Sequence, residues 1–210
     1  FKFAHDYDEV EEICKTIKNQ TSYEPTIGVI CGSGLSALGD MLEKKDVIPY
    51  EKIPQFPRST VPGHKGQLVF GSLGGKTIVM MQGRCHLYEG YNAGEITLPV
   101  RVMAHLGVKT LLVTNAAGGL RQDWKVGDIM IIKDHINLAG LTGQSPLRGS
   151  NDDRMGTRFP ALSTAYDKCL RLLAQDTAKE LGFESFVRTG VYTAQVGPAF
   201  ETPAECRYLK

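Results

Sequence analysis

The sequence predicts an α/β fold, a mixed β-sheet flanked by helices on both faces. Short, continuous apolar runs of strand length alternate with longer helical runs, as strands covered on both faces require. Two neighbouring strand-like runs are separated only by Gly74-Gly75, a hairpin signal that makes the sheet mixed rather than all parallel.

The elements follow in order. Asp6 to Asn19 reads as an amphipathic helix, with Val10, Ile13, Cys14 and Ile17 on one face and acidic residues in the first turn. Thr26 to Cys31 is a buried strand ending in Gly-Ser-Gly, and Leu35 to Lys44 is expected to be helical. Four prolines (Pro49, Pro54, Pro57, Pro62) argue against a helix or central strand between Asp46 and Pro62. Gln67–Leu73 and Lys76–Met81 form the hairpin. Ile96 to Leu106 is a helix, and Thr110–Thr114 and Asp128–Lys133 are further strands. Ala139 to Pro160 is polar, glycine-rich and without periodicity, and loops of that length are usually functional or disordered. Ser163 to Leu181 is a helix with Ser163 as N-cap and Ala165, Cys169, Leu172 and Leu173 on one face. Val187–Val196 is the last strand, and a helix opens at Thr202. There is no internal repeat and no domain linker, so residues 1–210 are expected to form one domain.

Composition narrows the function classes. A formal net charge of +1, with 42% hydrophobic and 22% charged residues, excludes a disordered or collagen-like chain. It also argues against a nucleic-acid binder, which carries a positive excess on one face. Five cysteines, odd in number and without a C-x-x-C pair, support neither a disulfide framework nor a cysteine zinc site. With no membrane-length apolar stretch and no leader, a cytoplasmic protein without a membrane partner is expected.

Three segments can carry chemistry. Gly32-Ser33-Gly34, between a strand and a helix, offers backbone N–H groups and the Ser33 hydroxyl to an anion. Gly32 to Ala37 also fits the dinucleotide pattern G-x-G-x-x-A, but proline-rich sequence stands where the second strand and its acidic residue belong. The plain alternative is a tight turn. In Gly83-Arg84-Cys85-His86-Leu87-Tyr88-Glu89, Arg84 and His86 point the same way if the segment is extended, and Arg84 supplies a donor fork suited to phosphate. Glu89 is placed to hold the His86 imidazole in one tautomer, and two potential ligands without further clustering do not make a metal site. A solvated surface ion pair is the plain alternative. Thr114-Asn115-Ala116-Ala117-Gly118-Gly119 ends an apolar strand in small residues, where open α/β sheets bind ligands. His64, in a Pro-Gly turn, reads in isolation as a surface residue. Phe200, beside Glu201, is suited to stacking on a heterocycle, while His5, His105 and His135 read as structural.

Taken in order, these segments resemble the trimeric, animal-type purine nucleoside phosphorylases. The resemblance runs through Cys31–Leu35, Phe56–His64, Met81–Tyr91, Thr114–Gly119, Asp134–Asn137, Pro146–Gly149, Phe200–Thr202 and Ala204–Arg207, covering nearly the whole chain from Val10. It implies phosphorolysis of a purine nucleoside, with inorganic phosphate as co-substrate and neither cofactor nor metal. It further implies that Ser33, Arg84, His86 and the Ala116 N–H hold phosphate with His64 nearby, and that Glu89 orients His86. Tyr88, His64, Asn115, Ala116 and Ala117 would lie against the nucleoside. Phe200 and Glu201 would take the purine, and Phe159 would complete the site of a neighbouring subunit in a homotrimer. Family members commonly have an aromatic at Cys85 and glycine at Ser36, and neither difference removes a donor. They also extend several tens of residues past Lys210, so the domain is expected to lack its C-terminal part, and a molecule ending at Lys210 is expected to be inactive.

Three competing readings have discriminating features. A methylthioadenosine phosphorylase would carry a small hydroxyl residue in place of Glu201. An NAD-dependent dehydrogenase would use Gly32–Ala37 as its cofactor turn. A degenerate binding homologue would have lost motif residues, and here they are intact within the span.

Overall fold

The computed structural model describes residues 5–58 and 65–210. The chain divides into two units, Phe1–Ala116 with Gln144–Gly156, and Ala117–Gly143 with Thr157–Lys210.

The first unit contains α1 (Tyr7–Lys18), β1 (Ile27–Cys31), β2 (Glu43–Pro49), β3 (Gln67–Leu73), β4 (Lys76–Gln82), α2 (Ala93–His105) and β5 (Thr110–Val113). The strands form one sheet in the order β2-β3-β4-β1-β5. β1 runs parallel to both its neighbours, and β2, β3 and β4 are antiparallel, so the sheet is mixed. Gly74 and Gly75 join β3 to β4 with φ of 56° and 73°, the left-handed conformation that a two-residue hairpin turn needs at both central positions. Pro49 closes β2, an edge strand, where a missing N–H costs no ladder bond.

Both helices begin with reciprocal capping. Asp6 accepts from Glu9 N–H at 3.0 Å and Glu9 accepts from Asp6 N–H at 3.1 Å, which starts α1. Asn92 and Glu95 do the same for α2, so that helix starts three residues before the expected Ile96. Strand alternation divides the sheet's side chains between two clusters. Ile30, Leu68, Phe70, Val79 and Met81 pack with Val10, Ile13, Cys14 and Ile17 of α1 and Leu98, Val102 and Met103 of α2. Val29, Cys31, Val69, Ile78 and Met80 form the second cluster with Leu42, and Leu38 packs against it. Full burial of each such side chain contributes roughly 1.5–3 kcal/mol.

Two helix expectations are corrected. Residues 35–44 form no α-helix: Ser36–Met41 is a 3-10 helix, and Glu43 onward pairs with β3 as edge strand β2. Gly39 in this helix abuts the Gln82 amide so closely that a Cβ there would displace that side chain. In the second unit, the expected helix from Ser163 starts at Lys168 instead. Asp167 rather than Ser163 is the N-cap, accepting from Leu170 N–H at 2.8 Å.

The second unit holds β6 (Ile129–Asn137) and β7 (Val187–Ala194), paired in parallel with an irregularity between Ile132 and Asp134. It also holds α3 (Leu138–Leu141), α4 (Lys168–Glu180) and α5 (Pro203–Leu209). α3 occupies the start of the segment read as one long loop. Thr202 caps α5, as expected, with Glu205 reciprocating. His135 bonds to the Tyr166 hydroxyl at 3.1 Å, and in the first unit the His105 ring packs edge-on to Tyr7, so both histidines have structural partners.

Candidate active site

The parallel strands β4, β1 and β5 lie side by side, with Cys31 opposite Gln82 and Ile30 opposite Val113. Their C-terminal ends therefore share one sheet edge, and the three motif segments leave from that edge: Gly32–Gly34, Gly83–Gly90 and Thr114–Ala116. This is where open α/β sheets bind ligands.

Thr114 joins two of these segments to each other. Its hydroxyl accepts Gly32 N–H at 2.8 Å and donates to Ile30 O at 2.9 Å. Its carbonyl accepts from Arg84 Nη1 at 3.4 Å. Gly32 lies so close to this strand end that a Cβ on it would stand 2.7 Å from Thr114 O, which only glycine permits. Ser33 is exposed between buried Gly32 and exposed Gly34, which has φ of 81°. The α-helix N-terminus expected after this turn is absent, its place taken by the 3-10 helix. The dinucleotide reading loses its helix with it, and an antiparallel edge strand follows.

The Arg84–Glu89 segment is ordered around one carboxylate. Glu89 Oε1 accepts His86 backbone N–H at 2.8 Å and stands 2.7 Å from His86 Nδ1, and its side chain is only 2% exposed. An ionised carboxylate accepts only, so Nδ1 carries the proton. The Tyr88 ring stacks on His86 with 4.7 Å between centroids and 13° between planes. Gly90, at φ of 96°, ends the turn. Beneath the segment, the buried Tyr50 hydroxyl donates to Gly83 O at 2.8 Å. Burial drives the Tyr50 phenol well above its ordinary value, so it remains a donor. Cys85 is buried here, and desolvation aided by the Glu89 charge pushes its thiol up to about 12.

In the first unit, then, Ser33, Arg84, Asn115 and Ala116 stand on strand ends linked through Thr114, with His86, Tyr88 and Glu89 in the segment that Arg84 opens. His64 lies outside the described residues. Tyr91 holds Arg58, just ahead of that stretch, by accepting Arg58 N–H at 3.1 Å and donating to Arg58 O at 2.7 Å. In the second unit, Ala117 is exposed, Phe200 is 96% exposed and Glu201 is exposed immediately before α5. Phe159 is 85% exposed, with the Arg158 guanidinium 5.8 Å from its ring centroid.

Sequence reasoning missed two side chains at this sheet edge. Thr114 was legible only as a strand end, although a hydroxyl residue where a buried strand stops is a usable signal for side-chain bonding to a neighbouring turn. Gln82, 1% exposed, donates to Ser36 O and accepts from Gln67 Nε2 at 2.6 Å. No local pattern marks it.

Among the described residues no group of three His, Cys, Asp or Glu side chains is placed to hold a metal ion. No described helix is long and apolar enough to cross a membrane.

The phosphorylase superfamily profile matches residues 26–210. Purine nucleoside phosphorylase of Bos taurus is 51% identical over 207 residues, covering 99% of this chain and 72% of the bovine protein. The chain belongs to the purine nucleoside phosphorylase family. A crystal structure of the Schistosoma mansoni purine nucleoside phosphorylase in complex with inosine is 51% identical and superposes with a TM-score of 0.93, over 98% of this chain and 72% of that one. A purine nucleoside phosphorylase structure in complex with ribose-1-phosphate is 52% identical, with a TM-score of 0.93 over 98% of this chain and 76% of that one. The mixed sheet with flanking helices is thus the fold of purine nucleoside phosphorylases, and the chain is of their animal type.

Proposed function

We propose that this protein is a pentosyltransferase of purine salvage. It cleaves 6-oxopurine nucleosides such as inosine and guanosine, and their deoxy forms, with phosphate, releasing free base and α-(deoxy)ribose 1-phosphate. The observation that carries the reading is the convergence of the Ser33 turn, Arg84 and the Thr114–Ala116 backbone on the edge shared by three parallel strands. Family membership, and relatives solved with inosine and with ribose-1-phosphate, support it.

The chemistry accounts for these residue types. Breaking the glycosidic bond leaves oxocarbenium character on the sugar. A phosphate anion at C1′ stabilises that charge and captures it, so no side-chain nucleophile and no cofactor is required. Ser33, Arg84, His86, His64 and the Ala116 N–H hold the phosphate. Glu89, by fixing the Nδ1 proton, directs His86 Nε2 toward it. Tyr88, Asn115 and Ala117 take the nucleoside, Phe200 stacks on the purine and Glu201 accepts from its ring N–H. Negative charge grows on the leaving base, so groups aimed at the base act selectively on the transition state. Enzymes supply roughly 8–23 kcal/mol in total. One bond to a charged group contributes only about 1.5–3 kcal/mol, so holding two substrates in register must supply much of the rest.

The exposed Phe159 reaches the ribose of a neighbouring subunit, which makes a homotrimer part of the working enzyme. Five free thiols fit a reducing cytoplasmic setting. The deciding assay, on a protein that extends past Lys210 to its relatives' length, is cleavage of inosine, guanosine and adenosine side by side, with and without phosphate. Phosphate-dependent turnover of the first two and little of adenosine is expected. Glu201→Ala should lower inosine kcat/KM on the order of 100-fold. Turnover independent of phosphate would sink the reading, and equal turnover of adenosine would sink its specificity.

A further inference from the structure

We propose that Thr114 and Gln82 are paired positioning residues that clamp the Gly32–Ser36 turn from its two sides, presenting Ser33 and its backbone to phosphate in a preset geometry. The inference rests on the phosphorolysis reading.

The turn leaves β1, the strand between β4 and β5, and one side chain from each neighbour reaches it. From the end of β5, the Thr114 hydroxyl has one proton and spends it on Ile30 O at 2.9 Å, so the 2.8 Å bond to Gly32 must run from the glycine N–H to the hydroxyl oxygen. Thr114 N–H also donates to Ile30 O, at 3.0 Å. The first residue of the turn is therefore fixed in orientation and pressed against Thr114 O, with no room for a side chain. From the end of β4, Gln82 bonds Ser36 O at the other end of the turn. Gln67, its register partner on β3, donates to Gln82 Oε1, so the Gln82 NH2 group is the end that faces Ser36. A flipped amide would bring two NH2 groups together.

Between these anchors the turn closes on itself, Leu35 N–H donating to Gly32 O at 3.0 Å, and Ser33 remains exposed. A turn free to move would lose conformational entropy at each residue when phosphate ordered it. A turn held at both ends has lost that entropy already in folding, so the binding energy of phosphate is spared. Neither clamp residue needs to touch phosphate. Their effect should appear in phosphate affinity and leave nucleoside affinity nearly unchanged.

The experiment measures KM for phosphate and for inosine separately in Thr114→Val, Thr114→Ser and Gln82→Met. It adds hydrogen exchange at the Gly32 amide of the unsubstituted protein. Thr114→Val keeps shape and loses the hydroxyl, and should raise the phosphate KM about tenfold with the inosine KM within about twofold. Thr114→Ser restores the hydroxyl and should bring the phosphate KM back to within about threefold of the starting value. Gln82→Met should shift phosphate KM in the same direction as Thr114→Val. Equal rises in both KM values, or loss of kcat with phosphate KM unchanged, would overturn the clamp. If the Thr114→Val protein does not fold, hydrogen exchange decides: a protected Gly32 amide without phosphate supports the clamp, and exchange at the rate of an unstructured amide overturns it. Absence of inosine cleavage by an unsubstituted protein that extends past Lys210 to its relatives' length would instead sink the phosphorolysis reading, and the exchange measurement would still judge the clamp.

Discussion

Glu89 Oε1 bonds His86 twice, at the backbone N–H (2.8 Å) and at Nδ1 (2.7 Å), from a position almost wholly shielded from water. One carboxylate thereby fixes both the chain direction at His86 and the ring's tautomer. Removing it should cost more than a side-chain contact. Glu89→Ala should lower kcat/KM on the order of 100-fold, whereas Glu89→Gln, which keeps an oxygen acceptor, should cost about tenfold. Steady-state kinetics alongside thermal melting checks this. A folded Glu89→Ala protein within twofold of the original would show that His86 needs no partner.

Arg84 is tied to the end of β5 through Thr114 O, which holds its guanidinium at the shared strand edge. Arg84→Ala should raise the phosphate KM by about 10- to 100-fold. Lysine should recover little of this, because a point charge cannot reproduce a planar donor fork. Full recovery in Arg84→Lys would mean that charge alone is used.

Much of this was legible in the sequence where a local rule governed. The face of Val10, Ile13, Cys14 and Ile17 is buried as its spacing required, and Gly74-Gly75 makes the hairpin because both positions need positive φ. Local reasoning failed where tertiary contacts decided. The segment 35–44 has helical composition, but Gly39 packs on Gln82 and Glu43 joins an edge strand, and both partners are distant in sequence. Ser163 looked like a cap, yet Asp167, four residues on, makes the capping bond. Arg84, His86 and Glu89 announced themselves by residue type and spacing. Thr114 and Gln82 act across strands, so their roles emerge only once the order β4-β1-β5 is known.

Buried thiols set a limit on alkaline stability. Burial pushes Cys14 and Cys85 each up to about 12, from an ordinary 9.0. It raises Cys31 too, against the opposing pull of Arg84. Once pH passes 9.0 the unfolded chain sheds these protons, while the folded protein keeps those of Cys14 and Cys85 until about 12. The unfolded state thus binds fewer protons across that window, and stability falls as pH rises through it. The melting temperature should be nearly level from pH 7 to 9 and decline above. Replacing Cys14 and Cys85 by alanine should flatten the decline. An unchanged slope in that variant would remove the thiols as its cause. At pH 8 native Cys14 and Cys85 should also resist iodoacetamide, which exposed Cys169 should not.

A site completed by a neighbour makes a prediction that a self-sufficient subunit cannot share. Arg84→Ala disables the phosphate side of its own subunit's site, whereas Phe159→Ala, if the 85% exposed ring reaches across, disables the site next door. Each variant alone should be nearly inactive at low inosine and low phosphate. In a ring of three, every mixed assembly contains one place where a subunit retaining Arg84 is followed by one retaining Phe159. Random reassembly of equal amounts after mild dissociation should therefore restore about a quarter of the original sites. The measurement is inosine phosphorolysis before and after mixing, with assembly mass followed by sedimentation. If mixing restores nothing although an affinity tag on one variant co-purifies the other, Phe159 serves its own subunit and the shared site is wrong. Restoration to that level would establish that Phe159 is lent between subunits, and the sedimented mass gives the size of the ring that lends it.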